Sequence, residues 1–344
     1  MNELGAILVD TADRVFQHAQ KHLDGRFDAA VWDLTESAGL DRILLPEDEG
    51  GVGDAFPDAV AVAMRLGANA AAIPLIESMV ANWVLSHAGL AVPDGPKSIV
   101  VASAGELPKL GAGGVLSFGQ LLEVPWGSAV RTSVVVAAQE GDCRIVRLDQ
   151  PLTGDTRTTL AGEPLTLANG HTRTADAVGD WRFDPELPLA LLALLKAAAI
   201  AGAADSIVSM TIEYANTRTQ FGRRIAAFQA IQHMIARMAS EAAAAAAAVQ
   251  RAAHDFGAGN SVFAAAVAKS RASEAAGTIA SAAHQVHGAI GFTAEHTLHH
   301  FTRRVWTWRE DAGNETYWYA RLGTAALQAD GKTLWSGLVS GFDL

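Results

Sequence analysis

The fold of this chain is decided by two short stretches in its C-terminal half, RTQFGRRIAAFQAIQH at residues 218–233 and QVHGAIGFTAE at residues 285–295. In the first, Arg218 stands before a Phe-Gly turn, and a planar guanidinium suits bidentate contact with a phosphate. In the second, Gly288 and Gly291 would let the backbone approach a ligand closely. The alternatives are a surface arginine in a helix cap and an ordinary helix–turn–helix connection.

The region that contains both stretches, residues 186–344, is predicted to be helical. Residues 242–248 are an unbroken alanine run, and alanine is the best helix former. Because its small side chain lets helices approach one another, the run indicates a packed bundle helix rather than a linker.

Residues 1–97 are also predicted to be helical, because apolar residues recur there at near-helical spacing. The turn LPEDEGGVG at residues 45–53 interrupts the pattern, since a glycine-rich segment cannot form a helix interior. A further helix is predicted from Phe56 to Ala88, with Gly89 as its stop.

Residues 98–185 have a different character and are predicted to form a small antiparallel β domain. The β-branched runs at residues 133–137 and 143–148 flank the sequence QEGD, which indicates a hairpin. The chain therefore divides into a helical domain (1–97), a β domain (98–185) and a helical bundle (186–344), a mainly α fold with one small β domain.

The composition excludes several classes of protein. With 50% hydrophobic and 18% charged residues, the 344-residue chain can bury a sizeable core and is not globally disordered. A net charge of −11 argues against nucleic acid as a main partner. A single cysteine, Cys143, excludes a disulfide framework within the chain and a multi-cysteine zinc site.

The longest apolar stretch, residues 187–204, is interrupted by Lys196 and is rich in alanine and glycine. It predicts a buried helix rather than a membrane span, which requires about 20 strongly apolar residues. The N-terminus lacks the basic and apolar regions of a signal peptide. We therefore expect a soluble, cytoplasmic protein without a membrane partner.

Together, the two C-terminal stretches and the turn at residues 45–53 resemble the flavin-dependent acyl-CoA dehydrogenases. That family has an Arg-x-x-Phe-Gly turn followed by Phe-Gln, and later a Gln-x-x-Gly-Gly-x-Gly-Tyr/Phe segment with a glutamate three residues on. The motifs occur in the right order and span nearly the whole chain. The resemblance implies an N-terminal helical domain, a central β domain and a C-terminal four-helix bundle, with FAD as cofactor and an acyl-CoA as substrate.

The resemblance also implies residues that contact the cofactor. Arg218 would reach the FAD pyrophosphate of a neighbouring subunit, and Gln285 and Gly288 would touch the ADP half across a dimer interface. Phe221 and Gln229 are further candidates for cofactor contacts. For these two, packing within the bundle and capping of a neighbouring helix are the alternatives.

The histidines of this region are interpreted as uninvolved in binding. His284 and His287 bracket the motif glutamine and are taken as bystanders. His296, His299 and His300 are close in sequence, but no carboxylate or second motif supports a metal site, and exposed helical histidines are expected instead.

The family's reaction is α,β-desaturation, in which a carboxylate removes the α-proton and a hydride leaves the β-carbon for the flavin. Ungapped comparison with the two positions of the base in the family leads to Ala312 and Leu192, neither of which can take a proton. Glu310 and Asp311 lie one or two residues from the first position and are the tentative catalytic candidates.

A second departure concerns the β domain. Members that hold their own flavin carry a Thr-Glu-Pro-x-x-Gly-Ser-Asp loop, and neither residues 99–106 nor residues 124–128 have this pattern. The motif residues that remain, Arg218, Gln285 and Gly288, would contact a neighbouring subunit's flavin. The missing loop and the missing base would serve the chain's own flavin and its own proton abstraction. The loss therefore predicts a subunit of a heteromer.

Some actinobacterial acyl-CoA dehydrogenases resemble this arrangement, with two unlike chains in an α2β2 tetramer, and several act on steroid side-chain CoA thioesters. The alternatives are a self-sufficient homotetramer with a relocated base and a non-catalytic scaffold that kept only the fold. An electron-transferring flavoprotein is the electron acceptor that the resemblance implies.

Overall fold

The computed structural model of the chain describes residues 3–21, 23–102, 107–118, 122–168, 172–329, 333–342 and 344. Ten α-helices lie within these residues: α1 (Glu3–Phe16), α2 (Ala29–Ser37), α3 (Phe56–Ala68), α4 (Leu75–His87), α5 (Leu187–Thr217), α6 (Gln229–Asp255), α7 (Ser261–His287), α8 (Leu298–Glu310), α9 (Glu315–Gln328) and α10 (Leu334–Ser340). Strands lie between α4 and α5, apart from one short hairpin that follows α5. The predicted helix–β–helix order is confirmed.

The strands among the described residues are β1 (Lys97–Val100), β2 (Lys109–Gly111), β3 (Val115–Ser117), β4 (Leu122–Pro125), β5 (Thr132–Gln139), β6 (Asp142–Leu148), β7 (Gly154–Thr158), β8 (Pro164–Ala168), β9 (Arg173–Thr174), β10 (Ala177–Asp180), β11 (Thr219–Gln220) and β12 (Arg223–Arg224). One sheet has the order β10-β6-β5-β2-β3-β9, with β1 also paired to β5, and a second has the order β4-β8-β7. Both β1 and β2 run parallel to β5, so the first sheet is mixed rather than antiparallel as predicted.

The predicted hairpin is β5–β6, in antiparallel register with Val134 opposite Arg147 and Val136 opposite Ile145. Its turn contains Glu140 and Gly141, both with positive φ (53° and 95°), as a tight two-residue hairpin turn requires. The inward side chains of the sheet are buried β-branched and aliphatic residues, which explains why the β-branched runs form strands here.

The helix predicted from Phe56 to Ala88 is instead two helices, α3 and α4. The chain breaks at Ala70, which has a φ of 49°, and α4 begins after Pro74. Proline has no amide hydrogen and disfavours helix in the residue before it, so the apolar pattern alone overestimated the length of the helix.

The described chain forms two compact units, residues 1–59 with 71–192 and residues 60–70 with 193–344. The division into three domains at residues 97 and 185 stays a prediction. Within the second unit, α3 and α5 pack backbone against backbone. A Cβ on Gly67 would collide with the carbonyl of Ala199, and a Cβ on Gly202 would collide with that of Met64. Only glycine allows this approach.

Helix α5 is long and apolar enough to cross a membrane by composition, yet 94% of its most apolar 18-residue window is buried inside the protein. Its apolar surface is therefore accounted for by the protein core, as the interrupting Lys196 and the small residues predict. The alanine run at residues 242–248 lies within the single helix α6, in agreement with the prediction.

Candidate functional site

A cleft of about 530 Å³ opens in the C-terminal unit, between the end of α5, the hairpin β11–β12, the start of α6 and the end of α7. Its lining is mostly apolar and aromatic. The residues that line it include Tyr214, Arg218, Phe221, Ile225, Phe228 and His287. Both motif stretches of the sequence thus meet in one concave surface, which is the usual form of a small-molecule site.

The hairpin β11–β12 holds Arg218 at the rim of this cleft. Phe221 and Gly222 form its two-residue turn, with φ values of 52° and 75° that suit a glycine and strain a phenylalanine. The amide of Ile225 donates to the carbonyl of Arg218 at 2.9 Å, which closes the loop across the hairpin. Arg218 is exposed, so its guanidinium is available to a ligand.

Aromatic side chains cover one wall of the cleft. Phe221 is 90% exposed, and its ring packs edge-to-face with that of Phe228, with the ring centroids 6.1 Å apart. The guanidinium carbon of Arg223 lies 4.2 Å from the centre of the Phe228 ring, a cation–π contact. This wall therefore offers a flat apolar surface beside positive charge. Phe228 is half-buried and packs against the apolar cluster that contains Ile225.

The end of α7 forms the opposite wall. Gly288 caps the helix with φ 63° and ψ −144°, a conformation that is essentially restricted to glycine. A Cβ added there would meet nothing within 4 Å, so the backbone faces open space in the cleft. The motif glycine is therefore explained by backbone conformation as well as by access to a ligand.

His287 belongs to this wall, and its interpretation as a bystander stays a prediction. Its side chain is buried, and its Nδ1 lies 2.8 Å from the carbonyl oxygen of Ala283. Among the described residues, its buried Nε2 has no hydrogen-bond partner. Burial lowers the pKa of His287 below its ordinary value. In the sequence, the contact between His287 Nδ1 and the Ala283 carbonyl was indicated only by the spacing of the two residues, which lie one helical turn apart.

The five residues predicted to contact a cofactor do not all meet. Arg218, Phe221 and Gly288 line the cleft. Gln229 is the first residue of α6 and Gln285 lies in the last turn of α7; both are exposed and neither lines the cleft. The cofactor roles of all five stay predictions.

The turn between α8 and α9 carries the tentative catalytic residues. The Nζ of Lys196, on α5, lies 2.9 Å from Oδ2 of Asp311, and the two side chains are 5% and 30% exposed. Lys269, on α7, is buried beside them. Its Nζ donates to the carbonyls of Arg309 and Gly313, each at 2.7 Å. Burial lowers the pKa of Lys269 to about 7.

The remaining groups of this turn are also paired. Asn314 Nδ2 donates to Glu310 Oε2 at 2.9 Å, and the Glu310 side chain is 61% exposed. Arg309 and Glu315 form a bidentate ion pair, with Nε donating to Oε2 at 2.8 Å. The pair lowers the pKa of Glu315. The turn is thus held by its own side chains.

The two family positions of the base contain no acid in the structure either. Ala312 has a φ of 55°, and its carbonyl accepts from Trp318 Nε1 at 3.0 Å. Leu192 is a buried apolar residue of α5. In the β region, residues 103–106 lie outside the described residues. Trp126 is buried, and its amide donates to the Pro164 carbonyl at 2.7 Å. This segment therefore takes part in internal packing.

The C-terminal histidines differ from the expectation that they would be exposed. His296, His299 and His300 are half-buried, and His299 Nδ1 lies 2.8 Å from the His296 carbonyl. Within the parts of the chain that the structure describes, no three side chains of the metal-binding types come together.

Comparison with known proteins agrees with the fold and the motifs. Residues 188–318 match the family model for the acyl-CoA dehydrogenase C-terminal domain. The acyl-CoA dehydrogenase IpdE2 of Mycobacterium tuberculosis is 32% identical over 292 residues, which cover 82% of this chain and 82% of that protein.

Two solved structures share the fold. A chain of the ChsE4–ChsE5 complex from Mycobacterium tuberculosis matches with a TM-score of 0.85 at 23% identity, covering 96% of this chain and 99% of its own. A chain of the Tcur3481–Tcur3483 steroid ACAD, in a G363A variant, matches with a TM-score of 0.78 at 23% identity, covering 94% and 97%. The motifs, the architecture and the identity to IpdE2 agree: this chain belongs to the acyl-CoA dehydrogenase family.

Proposed function

We propose that this chain is a subunit of an FAD-dependent acyl-CoA dehydrogenase that desaturates an acyl-CoA thioester between its α and β carbons. In this proposal the chain supplies one wall of the flavin site, and an unlike partner chain supplies the catalytic base. The observation that carries it is a contrast within the C-terminal unit. The cleft presents unengaged binding groups, whereas the carboxylates near the family's base position are held by their neighbours.

The residues of the cleft fit a flavin dinucleotide. The exposed Arg218 can form a bidentate contact with a pyrophosphate, and the Phe228 wall can lie against a planar ring. When bound, the flavin provides the acceptor for the hydride that leaves the β-carbon of the substrate.

The chain's own carboxylates are poorly suited to act as the base. A general base must approach the proton that it removes within hydrogen-bonding distance. Asp311 Oδ2 is held at 2.9 Å by the Lys196 ammonium in a mostly buried pair. Glu310 is solvated and accepts from Asn314. This favours a base from another chain over the self-sufficient homotetramer with a relocated base.

The partner, the substrate class and the acceptor are part of the proposal. Relatives of the same fold include chains from the two-component ChsE4–ChsE5 complex and from a steroid ACAD. We therefore infer a paralogous dehydrogenase subunit in an α2β2 assembly, a bulky acyl-CoA such as a steroid side-chain thioester, and an electron-transferring flavoprotein as acceptor. Cytoplasmic location completes the proposal.

Expression of the chain alone and together with an adjacent dehydrogenase-like gene tests this function. The visible flavin spectrum and the mass of each product are recorded. We expect a colourless lone chain and a yellow hetero-oligomer that oxidises an acyl-CoA. In the hetero-oligomer, Arg218→Ala should reduce bound flavin, whereas Arg237→Ala, an exposed arginine on α6, should not.

Two outcomes would overturn the proposal. A yellow homotetramer that turns over an acyl-CoA without a partner would establish the self-sufficient enzyme. A chain that assembles with its neighbour while the complex holds no flavin would establish a scaffold.

A further inference from the structure

Five histidines gather where α7 is followed by α8. They are His284 and His287 in the last turn of α7, His296 in the connection, and His299 and His300 in the first turn of α8. The ring centroids of His287 and His296 are 4.7 Å apart, and those of His299 and His300 are 3.9 Å apart. Imidazoles this close pack well while uncharged and repel one another once protonated. The connection, residues 288–297, is called the corner segment below.

The ring of His287 is held in its uncharged form. Its Nδ1 lies 2.8 Å from the carbonyl oxygen of Ala283, which only accepts, so Nδ1 carries the proton. Its Nε2 is buried and has no partner among the residues that the structure describes. A second proton would place a charged N–H donor at Nε2 with nothing to accept it, which is unfavourable in a buried position.

The ring of His284 is held in the same way, between α8 and the corner segment. Its Nε2 lies 2.8 Å from the hydroxyl oxygen of Thr302, while its Nδ1 is buried without a partner in the described part of the chain. Phe292 stacks on the ring with centroids 4.2 Å apart, and a Cβ on Gly291 would come within 3.2 Å of Nδ1. The doubly protonated ring would therefore bury an unsatisfied donor beneath the corner segment.

The ring of His296 supports the start of α8. Its Nδ1 accepts a hydrogen bond from the backbone amide of Leu298, the first residue of that helix, at 3.1 Å. The first amides of a helix have no partner within the helix, so this bond satisfies one of them. A protonated Nδ1 cannot accept, and charging His296 would break the bond.

The surroundings give little compensation for positive charge on these three rings. The neighbouring titratable groups on α8 are His299, His300, Arg303 and Arg304, those on α5 and just after it are Glu213, Tyr214 and Arg218, the start of α6 has His233, and the corner segment has Glu295. The two carboxylates are exposed, and within the described ranges neither forms an ion pair with a ring. Burial lowers the pKa of all three histidines, and neighbouring histidines lower it further.

We propose that the corner segment is an acid-sensitive hinge, in which protonation of His284, His287 and His296 releases residues 288–297 from the ends of α7 and α8. The closed arrangement has no acceptor for the added proton at the first two rings and loses a helix-capping bond at the third. Proton uptake therefore accompanies opening. Gly288 and Ala289 also line the cleft, so opening would remove part of its wall. The inference is independent of which ligand the cleft binds.

The direction of the pH dependence follows from these bonds. The open segment exposes histidines that titrate near the ordinary pKa of about 6.5, whereas the closed segment keeps them uncharged. The closed state is therefore fully stable above this pH and loses stability as the pH falls below it. Each such histidine raises the ratio of open to closed molecules by up to about eightfold between pH 7 and pH 5.5, and three together by roughly several hundredfold.

Amide hydrogen exchange followed by mass spectrometry measures this opening in the full chain in its native oligomer. Closed-state amides such as Gly288, bonded to the His284 carbonyl, and Leu298, bonded to the His296 ring, report on the segment. Protection is expressed relative to an unstructured peptide at the same pH. We expect it to fall at residues 288–298 between pH 7 and pH 5.5 and to stay constant in the alanine run of α6, residues 242–248. Constant protection at residues 288–298 would overturn the inference, and so would an equal loss in both peptides, which would mean that acid unfolds the whole unit.

Three substitutions test whether the histidines cause the effect, because each replaces the bonded ring nitrogen by an amide atom that does not titrate. In His284→Gln and His287→Asn an amide nitrogen donates in place of the ring, and in His296→Asn an amide oxygen accepts. Each should reduce the acid-induced loss of protection by up to about eightfold, and the triple variant should abolish it. His254→Gln, at an exposed position of α6, should leave it unchanged. A triple variant that still opens in acid would overturn the inference. If the triple variant does not fold, the single variants decide, and a wild-type pH profile in all three would overturn it.

Discussion

The cleft at the end of α7 and the turn between α8 and α9 lie in the same compact unit and differ in how their polar groups are satisfied. At the cleft, Arg218 is exposed, and within the part of the chain that the structure describes His287 Nε2 has no hydrogen-bond partner. At the turn, Asp311, Glu310 and Lys269 are each bonded to neighbouring protein groups. Acidic residues near an expected catalytic position are therefore weak evidence of catalysis when neighbouring side chains already bind them.

The largest expected effect is on stability, at the turn. Asp311→Asn removes the carboxylate that pairs with the mostly buried Lys196 ammonium, and loss of one member of such a pair costs about 3 kcal/mol. Urea unfolding of the assembled protein measures it. Lys196→Met/Asp311→Asn removes both charges and should cost less than the sum of the single changes. Flavin content per folded assembly should stay unchanged.

A catalytic Asp311 would behave differently. In that case Asp311→Asn would lower turnover by about 10²- to 10⁴-fold in protein that remains folded. Such a loss would show that the turn between α8 and α9 takes part in catalysis, and the contrast drawn here with the cleft would no longer hold.

The next effect is on binding, at the cleft. Arg218→Lys keeps the positive charge but loses the planar fork that holds a phosphate through two bonds. We expect FAD affinity to fall about tenfold, since a hydrogen bond to a charged group contributes about 1.5–3 kcal/mol. Thermal unfolding of the flavin-free protein should be unchanged, because Arg218 is exposed. A lower thermal stability of the flavin-free protein, with FAD affinity unchanged, would instead show that Arg218 has a structural role.

The third effect is the pH dependence of stability, and it arises from Lys269. Its pKa is lowered to about 7 in the folded protein from an ordinary 10.5, chiefly by burial. Between these values the unfolded chain holds a proton that the folded chain has released. The free energy of unfolding should therefore rise with pH in this window, by up to about 1.4 kcal/mol per pH unit.

Urea unfolding at several pH values between 7 and 9 measures this slope. Lys269→Met should flatten it, while Lys109→Met, at an exposed position of β2, should not. An unchanged slope in Lys269→Met would mean that the buried lysine stays charged throughout.

The smallest effect is expected for Glu310→Gln. The side chain is mostly solvated and its bond from Asn314 can be kept by an amide oxygen. We expect a change below about 0.5 kcal/mol in stability, typical of surface substitutions. Turnover of the assembled enzyme should stay within about twofold, against the 10²-fold or larger loss that removal of a general base produces. Steady-state kinetics with an acyl-CoA would detect the difference.

Much of the architecture could be predicted from local sequence signals. The β5–β6 hairpin follows from its β-branched runs and the QEGD turn, and the α6 helix follows from its alanine run. These features depend on neighbours in sequence. The break between α3 and α4 was missed, although Pro74 was a local signal for it, because the apolar pattern continues on both sides.

The site was predicted less completely, since its properties depend on residues far apart in sequence. The motifs located Arg218 and Gly288 in the cleft, but they did not show that Gln285 is absent from its lining. Nothing in the sequence joins Lys196 to Asp311, a separation of more than one hundred residues. The orphaned Nε2 of His287 is likewise visible only when every neighbouring donor is located.

The backbone contact between α3 and α5 has a consequence for dissecting this protein. Residues 60–70 come from the N-terminal part of the sequence but complete the unit that contains the cleft, at a crossing where Gly67 and Gly202 admit no side chain. A fragment that begins at residue 193 would lack this helix and leave the α5 surface uncovered. Recombinant fragments meant to bind nucleotide should therefore carry α3 in addition, and a bulky residue at either glycine should prevent the two pieces from reassociating.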